Sequence, residues 1–150
     1  MDIKRIADNL ANKFHTRDPF KIAEELHYVI VRSPLVGIRG FYLFSNKRHS
    51  ICIDANLSEY EARFVCAHEI GHSILHKKSN RVFRDMHTHL SPAREEKEAD
   101  RFAVNLLFDD EQLADYLEHP IQIAADFMGV SRQLAEYRMH FVLKKNTERK

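Results

Sequence analysis

The run His68-Glu69-Ile70-Gly71-His72 constrains this chain more than any other feature. Residues four apart on an α-helix lie one above the other on the same face, so two imidazoles at this spacing can aim a nitrogen each at one point. That supplies half of a tetrahedral metal site. Glu69 is turned by about 100° from His68 and projects beside the metal position, where it can take a proton from an activated water. The pattern works only on a helix, and residues 58–76 predict one, with an apolar stripe at Phe64, Val65, Ala67, Ile70, Ile74 and Leu75. Ser58 followed by Glu61 reads as a capping box at its start. No proline interrupts the segment, and Gly71, costly inside a helix, permits a close approach by another backbone or a ligand.

The size of the chain decides how much structure can surround this helix. With 150 residues, 44% hydrophobic and 30% charged, it can bury a real core as one domain or a domain with a small appendage. The formal net charge of +1 gives no general field for nucleic acid. No apolar run is long enough to cross a bilayer, and Met1-Asp2-Ile3-Lys4-Arg5 leads into an amphipathic helix instead of a signal-peptide core, so a cytoplasmic location is expected. Cys52 and Cys66 lack the number and spacing of a disulfide framework or thiolate zinc site and are read as buried reduced thiols.

Upstream of residue 58, Ile3, Ile6, Ala7, Leu10, Ala11 and Phe14 recur at helical spacing and predict a helix over 2–14. Asp18 as cap and Pro19 at the first position open a second, packing through Phe20, Ile22, Ala23 and Leu26. Strands are predicted at 28–32, 41–44 and 50–54, the last two joined by a polar hairpin loop over 45–48, giving a small antiparallel sheet of about three strands. The strand ending one turn before the histidine helix is expected to leave a free edge along the cleft, to which an extended peptide could add.

Two histidines need a third protein ligand, and the candidates are His76, His87, His89, Glu95, Glu96, Glu98 and Asp100. His76 continues the ladder but sits about 12 Å along the axis from His68, too far to share one ion, and is read as a polar helix end. The metzincin pattern fails, because Leu75 and Lys78 stand where its glycine and third histidine belong. Residues 92–108 predict the next helix, with Ser91 as cap and Pro92 at the first position. With Glu96 set at 0°, Phe102, Leu106, Ala99, Ala103 and Leu107 span an arc from about 240° to 20°. Glu96 and Asp100, at about 0° and 40°, border that arc, whereas Glu98 falls near 200°. Glu96 is the better third ligand, Asp100 can accept the other N–H of a liganding histidine, and Glu95, Lys97 and Glu98 read as a solvated face. Residues 77–90 read as a loop, a candidate lid.

The zinc helix together with Glu96-Lys97-Glu98-Ala99-Asp100-Arg101-Phe102-Ala103 and Leu106-Leu107 resembles the ImmA/IrrE family of metallopeptidases. Asp18-Pro19, the strand pair and Asn56-Leu57-Ser58 extend the resemblance over most of residues 15–145. It implies a mostly helical α+β, zincin-like fold and a gluzincin-like zinc endopeptidase with one zinc per chain. Family members in prophages and mobile elements are often encoded beside a helix-turn-helix repressor that they cleave. Carried onto this chain, His68, His72 and Glu96 would be ligands and Glu69 the catalytic base. One departure is Phe108-Asp109-Asp110, where members often have proline. A further donor to the oxyanion could come from His87, His89, Tyr42 or His140, and the sequence does not choose among them.

The C-terminal third gives a rival reading. Ile121 to Met128, Gly129-Val130, and a helix from Ser131 through Leu143 have the outline of a helix-turn-helix, and residues 131–150 carry a local charge of +4. The expected division is a peptidase domain over 1–110 and a helical extension over 111–150 packed on it. Apolar Ala124, Phe127, Val130, Leu134, Tyr137, Phe141 and Val142 suit a plain helical pair, and nucleic acid is not the expected partner. A non-proteolytic module that holds a repressor or DNA, with a structural zinc, is the alternative; Glu69, a base that a structural site does not need, favours the enzyme.

Overall fold

The computed structural model describes residues 1–77 and 91–149. Seven helices and three strands form among the described residues: α1 (Ile3–Phe14), α2 (Pro19–Glu25), β1 (Val29–Ser33), β2 (Gly40–Ser45), β3 (Arg48–Asp54), α3 (Glu59–Leu75), α4 (Ala93–Leu107), α5 (Asp110–Ala114), α6 (Ile121–Met128) and α7 (Arg132–Glu148). The fold is mostly helical α+β, as the sequence predicts.

Short-range chemistry sets most helix ends. Asp2 accepts from the Arg5 amide at 3.1 Å, and Asp18, ahead of Pro19, accepts from the Phe20 amide at 3.0 Å. Ser58 and Glu61 form both halves of a capping box on α3. At the departure from the family pattern, Asp109 caps the start of α5, its side chain accepting from the Gln112 amide at 2.7 Å. Helix α4 differs from expectation. Pro92 occupies its N-cap position and no side chain caps it, because the Ser91 hydroxyl hydrogen-bonds to the Glu96 carboxylate instead.

The sheet is mixed, in the order β1-β3-β2, and not wholly antiparallel. Asn46 and Lys47, both at positive φ, make the tight turn that returns β3 antiparallel to β2. Strand β1 pairs parallel with β3, from Val29 opposite Ser50 to Ser33 opposite Asp54. Residues 34–39 carry the chain across to the far side, fixed by the Leu35 amide on Asp54 Oδ1 at 3.2 Å and the Asp54 amide on the Arg39 carbonyl at 2.8 Å. The strand that leads into α3 is therefore the central one. Among the described residues the outer strand on the cleft side is β2, not β3.

Ile51 and Ile53 of β3 are fully buried in one core with Ile22 of α2, Cys66 and Ile70 of α3 and Phe102 and Leu106 of α4. Burial pushes the Cys66 thiol up to about 12, and both cysteines are free. A second core joins Val104 and Phe108 to Leu113, Ala125, Met128, Ala135 and Val142. Helix α4 contributes to both. Between them, Arg138 is wholly buried, donates to the Phe108 carbonyl at 2.8 Å and pairs with Asp110 at 2.8 Å. Of the cations behind the local +4, Arg138 is thus internal, while Arg132 and Lys145 are paired with Glu136 and Asp110 at 3.0 and 3.6 Å. No helix among the described residues is long and apolar enough to cross a membrane.

Candidate active site

Helices α3 and α4 pack directly against each other, and Gly71 is why they come so close: a Cβ there would meet Phe102 Cδ1 at 3.0 Å. Successive turns of α3 bring His68, His72 and His76 to acidic residues of α4. His68 Nδ1 lies 2.8 Å from Asp100 Oδ1, and His68 Nε2 lies 3.1 Å from Glu96 Oε2. His72 Nε2 lies 2.8 Å from Glu96 Oε1 and 3.1 Å from His68 Nε2. The Glu69 carboxylate is within 4.8 Å of a ligand nitrogen of each histidine.

This donor set fits a divalent ion. Two nitrogens on one tetrahedral zinc at about 2.1 Å are separated by about 3.4 Å. The 3.1 Å between the two Nε2 atoms is close to that, and the carboxylate closes the third side. Three lone-pair donors brought this close in the absence of a cation need protons between them. Burial alone would lower the His68 imidazole, but hydrogen bonds to Asp100 and Glu96 more than offset it and raise its pKa to about 10. The same contacts, with the Ser91 hydroxyl, hold the Glu96 carboxyl far below the usual range against its partial burial. Glu69 is the opposite case. It is 6% exposed, and burial raises its pKa despite the opposing influence of His68 and His72.

The cleft in front of these groups has a volume of about 420 Å³ and is lined by Phe64, Val65, His68, Glu69, Glu96 and Asp100 from the helices and by residues 38–40 from the sheet side. Gly40 opens the edge strand here, where a Cβ would strike Val65 Cγ1 at 2.6 Å and the Cys52 carbonyl at 2.7 Å. Only glycine lets β2 lie this tightly against the helix.

Of the suggested oxyanion donors, His87 and His89 lie outside the described residues, as does the candidate lid apart from Lys77. Tyr42 is not among the residues lining the cleft; its hydroxyl meets His49 Nδ1. His140 is exposed on α7, edge-on to Phe141, and does not reach the cleft either. The solvated-face reading of 94–98 holds for Lys97 but not for two glutamates. Glu95 is 5% exposed, and Glu98 Oε1 lies 3.3 Å from His76 Nε2. His76 in turn is buried, with Nδ1 3.0 Å from His72 Nδ1, so it is no mere helix end. Burial and the neighbouring His72 hold its imidazole below the ordinary range, against Glu95 and Glu98. A signal for Glu95 existed: on the wheel that places Glu96 at 0° it falls near 260°, inside the apolar arc.

Comparison with known proteins agrees with this geometry. Residues 23–140 match the peptidase M78 family model, the IrrE N-terminal-like domain. The chain is also 33% identical over 139 residues to "Uncharacterized immunity region protein 2" of Bacillus phage phi105, covering 91% of this chain and 88% of that protein. The chain belongs to the ImmA/IrrE family and has a metallopeptidase-type domain, in which His68, Glu69 and His72 lie together.

Proposed function

We propose that this protein is a zinc-dependent endopeptidase whose substrate is a helix-turn-helix repressor of a prophage or mobile element, so that cleavage relieves repression. The observation that carries the reading is the convergence of His68 Nε2, His72 Nε2 and the Glu96 carboxylate within 3.1 Å of one another, beside a buried Glu69 in an open cleft. A structural zinc site is closed by four protein ligands, whereas the three that converge among the described residues face a cleft, as a catalytic site with a position for water or substrate does. The immunity-region relative supports a repressor as substrate.

Zinc held by His68, His72 and Glu96 would supply Lewis acidity to a water and to the scissile carbonyl. The chain's own residues do the remainder. Asp100 accepts the His68 Nδ1–H and so keeps that ring's Nε2 lone pair on the metal side. Glu69, its basicity raised by burial, takes the proton of the attacking water and hands it to the leaving amine.

The test is to incubate the zinc-loaded protein with the repressor encoded beside its gene and follow cleavage by mass spectrometry. Wild type should cut, and Glu69→Gln should hold zinc yet cut about 10²- to 10⁴-fold more slowly. A Glu69→Gln protein that relieves repression as well as wild type would instead establish a binding module with a structural metal.

A further inference from the structure

A zinc ligand needs its non-coordinating nitrogen fixed as firmly as the coordinating one. For His68 that partner is Asp100. For His72 the corresponding atom, Nδ1, faces another imidazole: His76 Nδ1 at 3.0 Å. His76 Nε2 then faces Glu98 Oε1 at 3.3 Å. Both histidines are buried, and the Glu98 side chain is largely covered at 18% exposure.

Proton positions along this row are determined by the metal. An imidazole that binds zinc through Nε2 as a neutral ring carries its proton on Nδ1. His72 must then be the donor across the 3.0 Å contact, and His76 Nδ1 the acceptor. A neutral His76 that accepts at Nδ1 has its own proton on Nε2, which is the atom facing the Glu98 carboxylate. Every donor meets an acceptor, and the row ends on a negative charge.

We infer that His76 is a positioning residue for the metal site, which with Glu98 fixes the tautomer and ring orientation of His72 through the relay Glu98–His76–His72. The inference rests on the zinc reading above. The two metal-bearing imidazoles are thus oriented by different devices, one by a carboxylate directly and the other by a carboxylate acting through a second ring. Its sequence signature is a histidine four residues beyond His72, on the same helical stripe.

The relay predicts a graded loss of zinc affinity, measured by competition with a chromophoric chelator. His76→Leu removes the acceptor and should weaken zinc binding about 10- to 100-fold. His76→Asn places a carbonyl oxygen near the position of Nδ1 and should restore most of it. The d–d spectrum of the cobalt-substituted protein should shift in the leucine variant and return toward wild type in the asparagine variant, a response that loss of packing alone would not give. Equal affinities in wild type and His76→Leu, or equal losses in the two variants, would overturn the relay. Nitrogen-proton correlation spectra of the zinc-loaded wild type need no variant to fold: the proton of His76 should sit on Nε2, and a proton on its Nδ1 refutes the assignment. Zinc binding by wild type that His72→Ala leaves unaffected would remove the metal reading itself, a result distinct from either of these.

Discussion

Replacing Asp110 by alanine should destabilise the fold far from the cleft by an amount that the contacts allow to be estimated. Arg138 is wholly buried, and the groups facing its guanidinium are the Phe108 carbonyl at 2.8 Å and the Asp110 carboxylate at 2.8 Å. The second contact is ionic and not in line with an N–H, since Asp110 Oδ1 meets no hydrogen-bond geometry there. Removing one partner of a buried pair costs about 3–5 kcal/mol, because a buried charge is left uncompensated. The retained Phe108 carbonyl argues for the lower half of that range. Lys145, 44% exposed and 3.6 Å from Asp110 Oδ2, adds little, as partly solvated pairs contribute about 0–1 kcal/mol, and Lys4, at 3.3 Å, keeps Asp8 as a partner at 2.6 Å. A loss of about 3–4 kcal/mol follows, a large part of the roughly 5–15 kcal/mol that holds such a domain together. Urea unfolding of the metal-free protein, monitored by circular dichroism, reads it directly. Acid should erase the difference. Burial raises the Asp110 carboxyl, but Arg138 and Lys4 more than offset it and hold it below its ordinary value. A depressed carboxylate stabilises the fold above its unfolded pKa, near 3.9, and that contribution disappears as pH falls through the folded value. The wild-type advantage should therefore be full at pH 7 and shrink below pH ~4. A loss under about 1 kcal/mol at pH 7 would refute the reasoning, as would Asp110→Leu/Arg138→Met proving no more stable than Asp110→Ala.

Other expectations bear on the cleft. Zinc must displace the proton that Asp100 and Glu96 hold on His68 up to about pH 10, so calorimetry in buffers of different ionisation enthalpy should show about one proton released per zinc near neutral pH. Zero release would contradict this. The same raised pKa stabilises the metal-free fold below the unfolded value near 6.5, and the contribution fades as pH rises through about 10, which alkaline melting curves can follow. Gly71→Val forces a branched side chain against the fully buried Phe102 and should cost about 1–3 kcal/mol while weakening zinc binding. Unchanged melting and unchanged zinc affinity would show that α3 and α4 do not need that close approach.

Features fixed by neighbours in sequence were legible before any coordinates. Capping by Asp18 and Ser58, the α3 stripe, and the turn that Asn46 and Lys47 place between β2 and β3 all depend on a few adjacent residues. The parallel pairing of β1 with β3 was not legible. It depends on where residues 34–39 deliver the chain, a long-range matter that alternation of polar and apolar residues does not encode. Within the cleft, the spacing of His68 and His72 and the angular position of Glu96 were readable, because each is a property of a single helix. Ser91 has the residue type of a cap, but its hydroxyl donates to the Glu96 carboxylate, and no side chain accepts from the first-turn amides of α4. The covering of Glu98 is not a property of α4 alone, because it comes from the last turn of α3, whose His76 reaches the far margin of α4.

Helix α4 behaves as a beam anchored at both ends. Its first two turns present Glu96 and Asp100 to the imidazoles, and its last turn is gripped by Leu113, Ala125, Ala135 and their neighbours through Val104 and Phe108. Shortening the chain at residue 110 would leave the cleft's residues all present yet free one end of the element that aims the acidic donor. Wear or substitution in the distal helices would accordingly register first as slack in metal capture, before any gross unfolding.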